Sequence, residues 1–213
     1  MNTNFLNSVT NFIKKRTFEF IGLILISTSI ALAIAFTTYS PEDPSFIYGD
    51  RDFEIKNFFG IYGSSVADFL LQSFGLVSFL ILANFLFWGI NLIIKKEIKR
   101  IILKLFLVIS YLVLGTIFIY ITFNNSFWLI DNGNAGFVGK IGYEFLSTWF
   151  PYIDNSYSAY GLLLLTLILF IFSSDLNFKK IATGTYSIIA SLFRRKNNTC
   201  LLYTSDAADD SIR

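Results

Sequence analysis

Histidine is absent from this chain of 213 residues, and cysteine occurs once, at Cys200. Without histidine, the commonest metal ligand and the usual general base near neutral pH are gone, and neither a Ser-His nor a Cys-His nucleophile pair can be assembled. A single cysteine excludes an intrachain disulfide framework and a thiolate metal cluster. Proline is scarce, with three residues, and only 15% of the chain is charged. The net charge of +2 is too small to mark a nucleic-acid surface by its size alone.

Apolar residues dominate instead: 54% of the chain is hydrophobic and 18% aromatic, with a mean hydropathy of +0.59. A water-soluble domain of this composition would expose large apolar patches and aggregate. The apolar residues gather into four stretches, Thr17–Tyr39, Phe69–Ile94, Leu105–Phe123 and Tyr157–Ser174. As helices these would run roughly 27–39 Å, against a hydrocarbon core about 30 Å thick. Backbone amides in hydrocarbon must find internal partners, so the stretches must be helical. The first is too long for a signal-peptide core, and Thr37–Pro41 is no small-x-small cleavage site, so it reads as a retained span. The expectation is an all-α integral membrane protein built as a four-transmembrane-helix bundle, occupying residues 1–196 as one membrane domain.

The cations are partitioned. Lys14, Lys15 and Arg16 precede helix 1. Lys95, Lys96, Lys99, Arg100 and Lys104 join helices 2 and 3, and Lys179, Lys180, Arg194, Arg195 and Lys196 follow helix 4. The other two connections hold Arg51, Lys56 and Lys140 among eight carboxylates, from Glu42 to Asp154. The positive-inside rule then predicts that both termini are cytoplasmic and that 40–66 and 124–156 face outward. Trp88 and Trp128 suit the interfacial aromatic belt. Trp149, Phe145, Phe150 and Tyr152 mark an outer segment at the membrane, with Gly136–Phe150 either a short interfacial helix or a loop over the bundle. Phe178–Phe193 carries an apolar stripe with basic ends, the pattern of a helix lying on the cytoplasmic leaflet.

Ser27, Ala31 and Ala35 form an i, i+4, i+8 stripe of small residues that would let another helix approach. Asn84 and Asn91, seven residues apart, share a face of helix 2. They read as interhelical hydrogen-bond donors rather than as parts of a substrate path. Asp68 opens the predicted helix 2, where an acid complements the helix dipole. Gly133–Lys140 superficially resembles a phosphate loop, but Asn134 stands at the first glycine position and Ile141 replaces the Ser/Thr. The five carboxylates of Glu42–Glu54 lack the alternating spacing of a calcium loop. Glu19 and Asp175 stand at helix ends and make no paired-acid site. No cofactor or metal is expected in this chain.

Two stretches are more specific: Tyr39-Ser40-Pro41-Glu42-Asp43-Pro44-Ser45, and Asn57 to Asp68 with Gly60, Gly63 and Ala67, running on to Phe74-Gly75. Pro41 and Pro44 end helix 1 and stiffen the turn. Asp43 and Ser45 can bond nearby backbone amides. Gly60 and Gly63 allow close backbone approach. These segments, together with the glycine-rich run that includes Gly136 and Gly139, resemble the N-terminal four-helix membrane region of the FtsK/SpoIIIE family of DNA translocases. The resemblance covers roughly residues 10–196. It implies a bacterial inner-membrane anchor at the division septum, self-association, and contacts with septal membrane proteins. It also implies an ATP- and magnesium-dependent motor and a DNA-reading module elsewhere in such proteins. No Walker motif is found here, so neither catalysis nor direct nucleic-acid binding is expected of this chain. Asn197–Arg213 breaks in style, and its LLYTSDAADD piece looks like translated adapter sequence. The expectation is a non-native tail, with a short disordered native tail as the bland reading. The rival to an anchor is a small transporter or membrane-embedded enzyme with a polar cavity lined by Asn84, Asn91 and Tyr111.

Overall fold

The computed structural model describes residues 3–46, 54–97, 100–125, 129 and 132–176, all within a unit spanning Met1–Leu176. The stripe at 178–193, the tail at 197–213 and Trp128 lie outside the described residues. Six α-helices follow in order: α1 Thr3–Thr37, α2 Gly60–Phe74, α3 Ser78–Lys95, α4 Ile101–Phe123, α5 Gly136–Trp149 and α6 Ser156–Ser173. A 3-10 turn, Gly75–Val77, separates α2 from α3. Among the described residues, four helical stretches are long and apolar enough to cross a membrane: Asn7–Thr37, Gly60–Lys95, Ile101–Phe123 and Ser156–Ser173.

Three predicted boundaries are corrected. The first helix begins at Thr3 rather than Thr17, because lysine and arginine are good helix formers and hydropathy registers only the apolar part. Its 35 residues would reach about 52 Å, so the turns carrying Lys14–Arg16 extend past a hydrocarbon layer. The third span starts at Ile101 rather than Leu105. The second, expected as one helix from Phe69, instead starts at Gly60 and breaks at Gly75. An unbroken rod from 60 to 95 would be about 54 Å long, whereas α3 alone, at about 27 Å, matches the hydrocarbon thickness. Gly75 makes the bend, with φ 56° and ψ −140°, a conformation that side chains disfavour. Between the helical and loop readings of Gly136–Phe150, the helix holds, as α5.

The helices pack as two principal pairs, α1 on α3 and α4 on α6, with α5 against α4 and α2. In the first pair the backbones nearly touch. A Cβ on Gly22 would lie 2.7 Å from the Gly89 carbonyl, and one on Gly89 would lie 2.6 Å from Ile26 Cγ1. Ser29 Oγ donates to the Leu82 carbonyl at 2.8 Å in a buried contact, and Phe36 meets Phe79 edge-on at 5.3 Å. The contact stripe of α1 is therefore Gly22, Ser29 and Phe36, spaced by seven. Of the expected Ser27–Ala31–Ala35 stripe, Ala35 is buried, Ala31 half-buried and Ser27 exposed. In the second pair Gly115 faces Thr166 and Val77, while Tyr111 packs edge-on against Phe170 at 5.5 Å.

Outside these seams the helices present bare apolar side chains. Phe20, Leu23, Ile102, Phe106, Leu164 and Phe172 are all exposed. In water that surface would be a fault, whereas acyl chains cover it without cost. Overpacking the close seam should be expensive. Gly89→Leu is expected to lower the unfolding free energy of the detergent-solubilised protein by about 1–3 kcal/mol, with Ser27→Leu near wild type. Denaturant unfolding of both variants checks it, and equal losses would refute the assigned stripe.

Candidate functional site

Nearly all of the motif residues converge on one polar clamp, where the exit of α1 meets α2 and the helix break. Asp43 holds the incoming chain by accepting from two backbone amides, Lys56 N at 3.0 Å and Asn57 N at 2.8 Å. Asn57 is almost fully buried. Its Nδ2 donates to the Ala35 carbonyl at 2.9 Å, and its Oδ1 accepts from Phe59 N at 3.1 Å. One side chain thus satisfies an orphan carbonyl at the end of α1 and shapes the turn into α2. Gly63 sits against the Asn57 amide, leaving no room for a Cβ. Gly60 is required by its φ of 61° rather than by crowding. Buried Pro44 lends its carbonyl to Ser64 Oγ at 2.6 Å. Pro41 is exposed and Ser45 half-buried.

A second strand of the clamp runs through side chains. Tyr39 Oη donates to Asp68 Oδ1 at 2.9 Å, Gln72 Nε2 donates to Tyr39 Oη at 3.3 Å, and Asn132 Nδ2 donates to Gln72 Oε1 at 2.9 Å. Asp68 therefore lies inside α2 as the acceptor for Tyr39. This overturns its expected place at a helix N-terminus. Ala67 is fully buried beside it, in a cluster with Ala35, Phe36 and Leu71.

The helix break is closed by the second acidic connection. Leu76 N donates to the Asn134 carbonyl at 2.8 Å, and Gly75 abuts that same carbonyl. Gly136, at φ 66°, brings its backbone against Ser73, where a Cβ would lie 2.5 Å from the carbonyl oxygen. Gly139 similarly faces the Thr116 carbonyl, at 2.7 Å for a Cβ. Phe74 packs beside Val77 and Tyr111. The glycine-rich run that superficially resembles a phosphate loop is thus occupied in holding two helices together.

The charge pair at the clamp's rim is of a different kind. Lys56 Nζ meets Glu42 Oε2 at 2.6 Å with both side chains well exposed. The Lys56 hydrogen bond, then its charge, lowers the Glu42 pKa, and Glu42 raises that of Lys56. Glu42's contribution is present above its unfolded value and fades as pH falls through the lowered one. Exposed pairs of this kind add little.

At the basic end a second network joins the two helix pairs. Asn84, about 1% exposed, donates through Nδ2 to Tyr111 Oη at 3.0 Å and Ser173 Oγ at 2.9 Å. Trp88 Nε1 donates to the Ser173 carbonyl at 2.7 Å, and Asn91 Nδ2 to the Ser174 carbonyl at 3.2 Å. Trp88 therefore spends its indole N–H on α6 rather than at a lipid interface. Ion pairs close this end: Lys104 with Asp175 at 2.5 Å, Lys95 with Asp175 at 3.9 Å, Arg16 with Glu19 at 2.6 Å, and Lys96 with Glu19. Among the described residues, no three His, Cys, Asp or Glu side chains gather as a metal set.

Sequence reasoning marked the clamp's residues but not its joints. Ser64, Asn132 and Asn134 fall in the motif stretches without a role assigned to them, and Gln72 was missed, although a glutamine four residues after Asp68 in an apolar run is a usable signal. Asp43→Ala should cost about 1.5–3 kcal/mol, the worth of a hydrogen bond to a charged group. Amide exchange at Lys56 and Asn57 should quicken in step, while Glu42→Gln leaves both slow. Asn84→Leu should cost about 0.6 kcal/mol, the mean for a polar contact between membrane helices, read by reversible unfolding.

Known proteins are similar to this chain in sequence. A family model described as the 4TM region of DNA translocase FtsK/SpoIIIE matches residues 14–185. The DNA translocase FtsK of Azospirillum brasilense is 31% identical over 90 residues, covering 42% of this chain and 14% of that protein. That of Rhizobium meliloti (strain 1021) is 29% identical over 134 residues, covering 62% and 15%. That of Rickettsia prowazekii (strain Madrid E) is 37% identical over 70 residues, covering 33% and 9%. The matched segments thus amount to 9–15% of these relatives' lengths. No solved structure matches. With most of its length, the clamp included, inside the family match, the chain belongs to the family of the 4TM region of DNA translocase FtsK/SpoIIIE.

Proposed function

We propose that the chain is the membrane anchor and interaction region of an FtsK-type DNA translocase, placed in the bacterial inner membrane and drawn to the division septum. The observation that carries this reading is where the polar groups go. Asp43, Asn57, Tyr39, Asp68 and Gln72 bind the chain to itself at one end, and Asn84, Trp88 and Asn91 do so at the other. Such a bundle is a scaffold, with its apolar faces and two connections left for partners. The DNA translocation named for the relatives, with the ATP-driven motor that the resemblance implies, belongs on this reading to parts of those proteins that this chain does not span. Self-association and contacts with septal membrane proteins complete the proposal, with residues 1–196 as the anchor and 197–213 as a non-native tail.

A transporter would require an open polar path past Asn84, Asn91 and Tyr111. Asn84 and Tyr111 are instead bonded to each other and closed from solvent. The broken helix, a feature many transporters share, has its free amide taken by Asn134.

The charge pattern supports cytoplasmic termini, with α5 on the outer surface. Reporter fusions after Glu54 and Asp154 should then report the outside, and one after Lys96 the cytoplasm. The reverse pattern refutes the orientation. A fluorescently tagged chain should concentrate at midcell in dividing bacteria, and an even distribution around the envelope sinks the septal reading.

A further inference from the structure

A slot opens at the basic end, at the seam between the two helix pairs. Its volume is about 230 Å³, and its lining comes from α1, α3, α4 and the segment just after α6. Its aliphatic lining is Ile21 and Leu25 from α1, Leu92 from α3 and Ile101 from α4. Ile21 and Ile101 are themselves exposed, so the slot reaches the side of the bundle, where lipid lies. Trp88 and Asn91 also line it, already bonded to the carbonyls of Ser173 and Ser174.

The charged lining is Lys95, Lys104, Glu97 and Asp175. Lys104 is the tightly held cation, its side chain 13% exposed and 2.5 Å from Asp175. Lys95 is different: it is 47% exposed and reaches the same carboxylate only at 3.9 Å. Two ammoniums therefore share one carboxylate, and Lys95, in the slot's lining, is the more loosely held of the two. Glu19, two residues before Ile21, pairs with both Arg16 and Lys96, and the sequence sets Lys14 and Lys15 just before Arg16 on α1 and Arg100 just before α4. This end of the bundle is thus rich in cations, although the slot's own lining is balanced.

We propose that this slot binds one anionic phospholipid, its phosphate on Lys95 and the start of one acyl chain between Leu25, Leu92 and Ile101. An aliphatic slot that opens sideways in a membrane takes hydrocarbon, and a basic rim at headgroup depth selects negative charge. Binding there would fill the seam where α1–α3 and α4–α6 meet, so lipid composition would set how firmly the two pairs are joined.

Trp88 lines the slot and provides the readout. The full chain carrying Trp128→Phe and Trp149→Phe, which leaves Trp88 as its single tryptophan, is reconstituted in phosphatidylcholine bilayers. These are doped with brominated phosphatidylglycerol or brominated phosphatidylcholine. The anionic lipid should quench Trp88 at about fivefold lower mole fraction, the preference that one surface lysine confers. Lys95→Gln, at a half-exposed position whose contact with Asp175 is long at 3.9 Å, should erase that preference, and Lys95→Arg should keep it. Leu25→Phe should weaken quenching by both lipids. Water-soluble glycerol phosphate should not relieve quenching. Equal quenching by the two lipids, a preference that survives Lys95→Gln, or displacement by glycerol phosphate each overturns the proposal.

Discussion

The break between α2 and α3 is the constraint on which the rest of the structure turns. A helix that stops inside or beside a membrane frees amides and carbonyls that lipid cannot satisfy, each at a cost of several kcal/mol. Here the freed Leu76 amide is met by the Asn134 carbonyl. That single contact obliges the connection before α5 to lie against the break. Gly75 and Gly136 remove the side chains that would keep the two backbones apart. From that meeting follow the position of α5 and the exposed aromatic edge formed by Phe145 and Trp149.

The two ends of the bundle answer different demands. At the acidic end the chain leaves and re-forms helix within a few residues, so carbonyls and amides need caps. Asp43, Asn57 and Ser64 provide them. At the basic end the helices are continuous and the difficulty is cohesion, because lipid offers no hydrophobic drive between helices. Side chains on α3 bond the backbone and hydroxyls of α6, and ion pairs tie Glu19 of α1 and the start of α4 to their neighbours. Glycine lets α1 approach α3 where no polar group is available.

The four-helix architecture was legible because hydrocarbon imposes length and composition together. The run at 157–174 lies within one residue of α6, since polar residues mark both of its ends: Asn155 caps the start and Ser174-Asp175 follow the finish. The second span was not, because its first half, from Gly60 to Asp68, mixes Ser, Ala and Asp and does not read as membrane-embedded. A hydropathy profile cannot show that such residues are helical when they pack on protein. The motif residues could be picked out individually, yet Asp68 was assigned to a helix end because the true beginning of α2 was hidden. Ser27 was assigned to a seam because a four-residue repeat looked as good as the seven-residue one, and only the partner helix distinguishes them. Gly22 and Gly89 lie far apart in sequence, and no local pattern couples them.

The donors on α3 wait for acceptors on α6 that lie 83 to 89 residues further along the chain. During synthesis α3 therefore enters the bilayer with Asn84, Trp88 and Asn91 unmatched, and α1 is the neighbour already available to it. The α1–α3 pair can form early, through glycine and serine contacts that need nothing from downstream. Tyr111 on α4 takes one Asn84 bond first, but Trp88 and Asn91 meet their acceptors only when the last helix arrives. The polar face of α3 is thereby completed from first helix to last, and a chain stopped before α6 would leave the Trp88 indole and the Asn91 amide without the acceptors they have here, a mark by which quality-control proteases could recognise it.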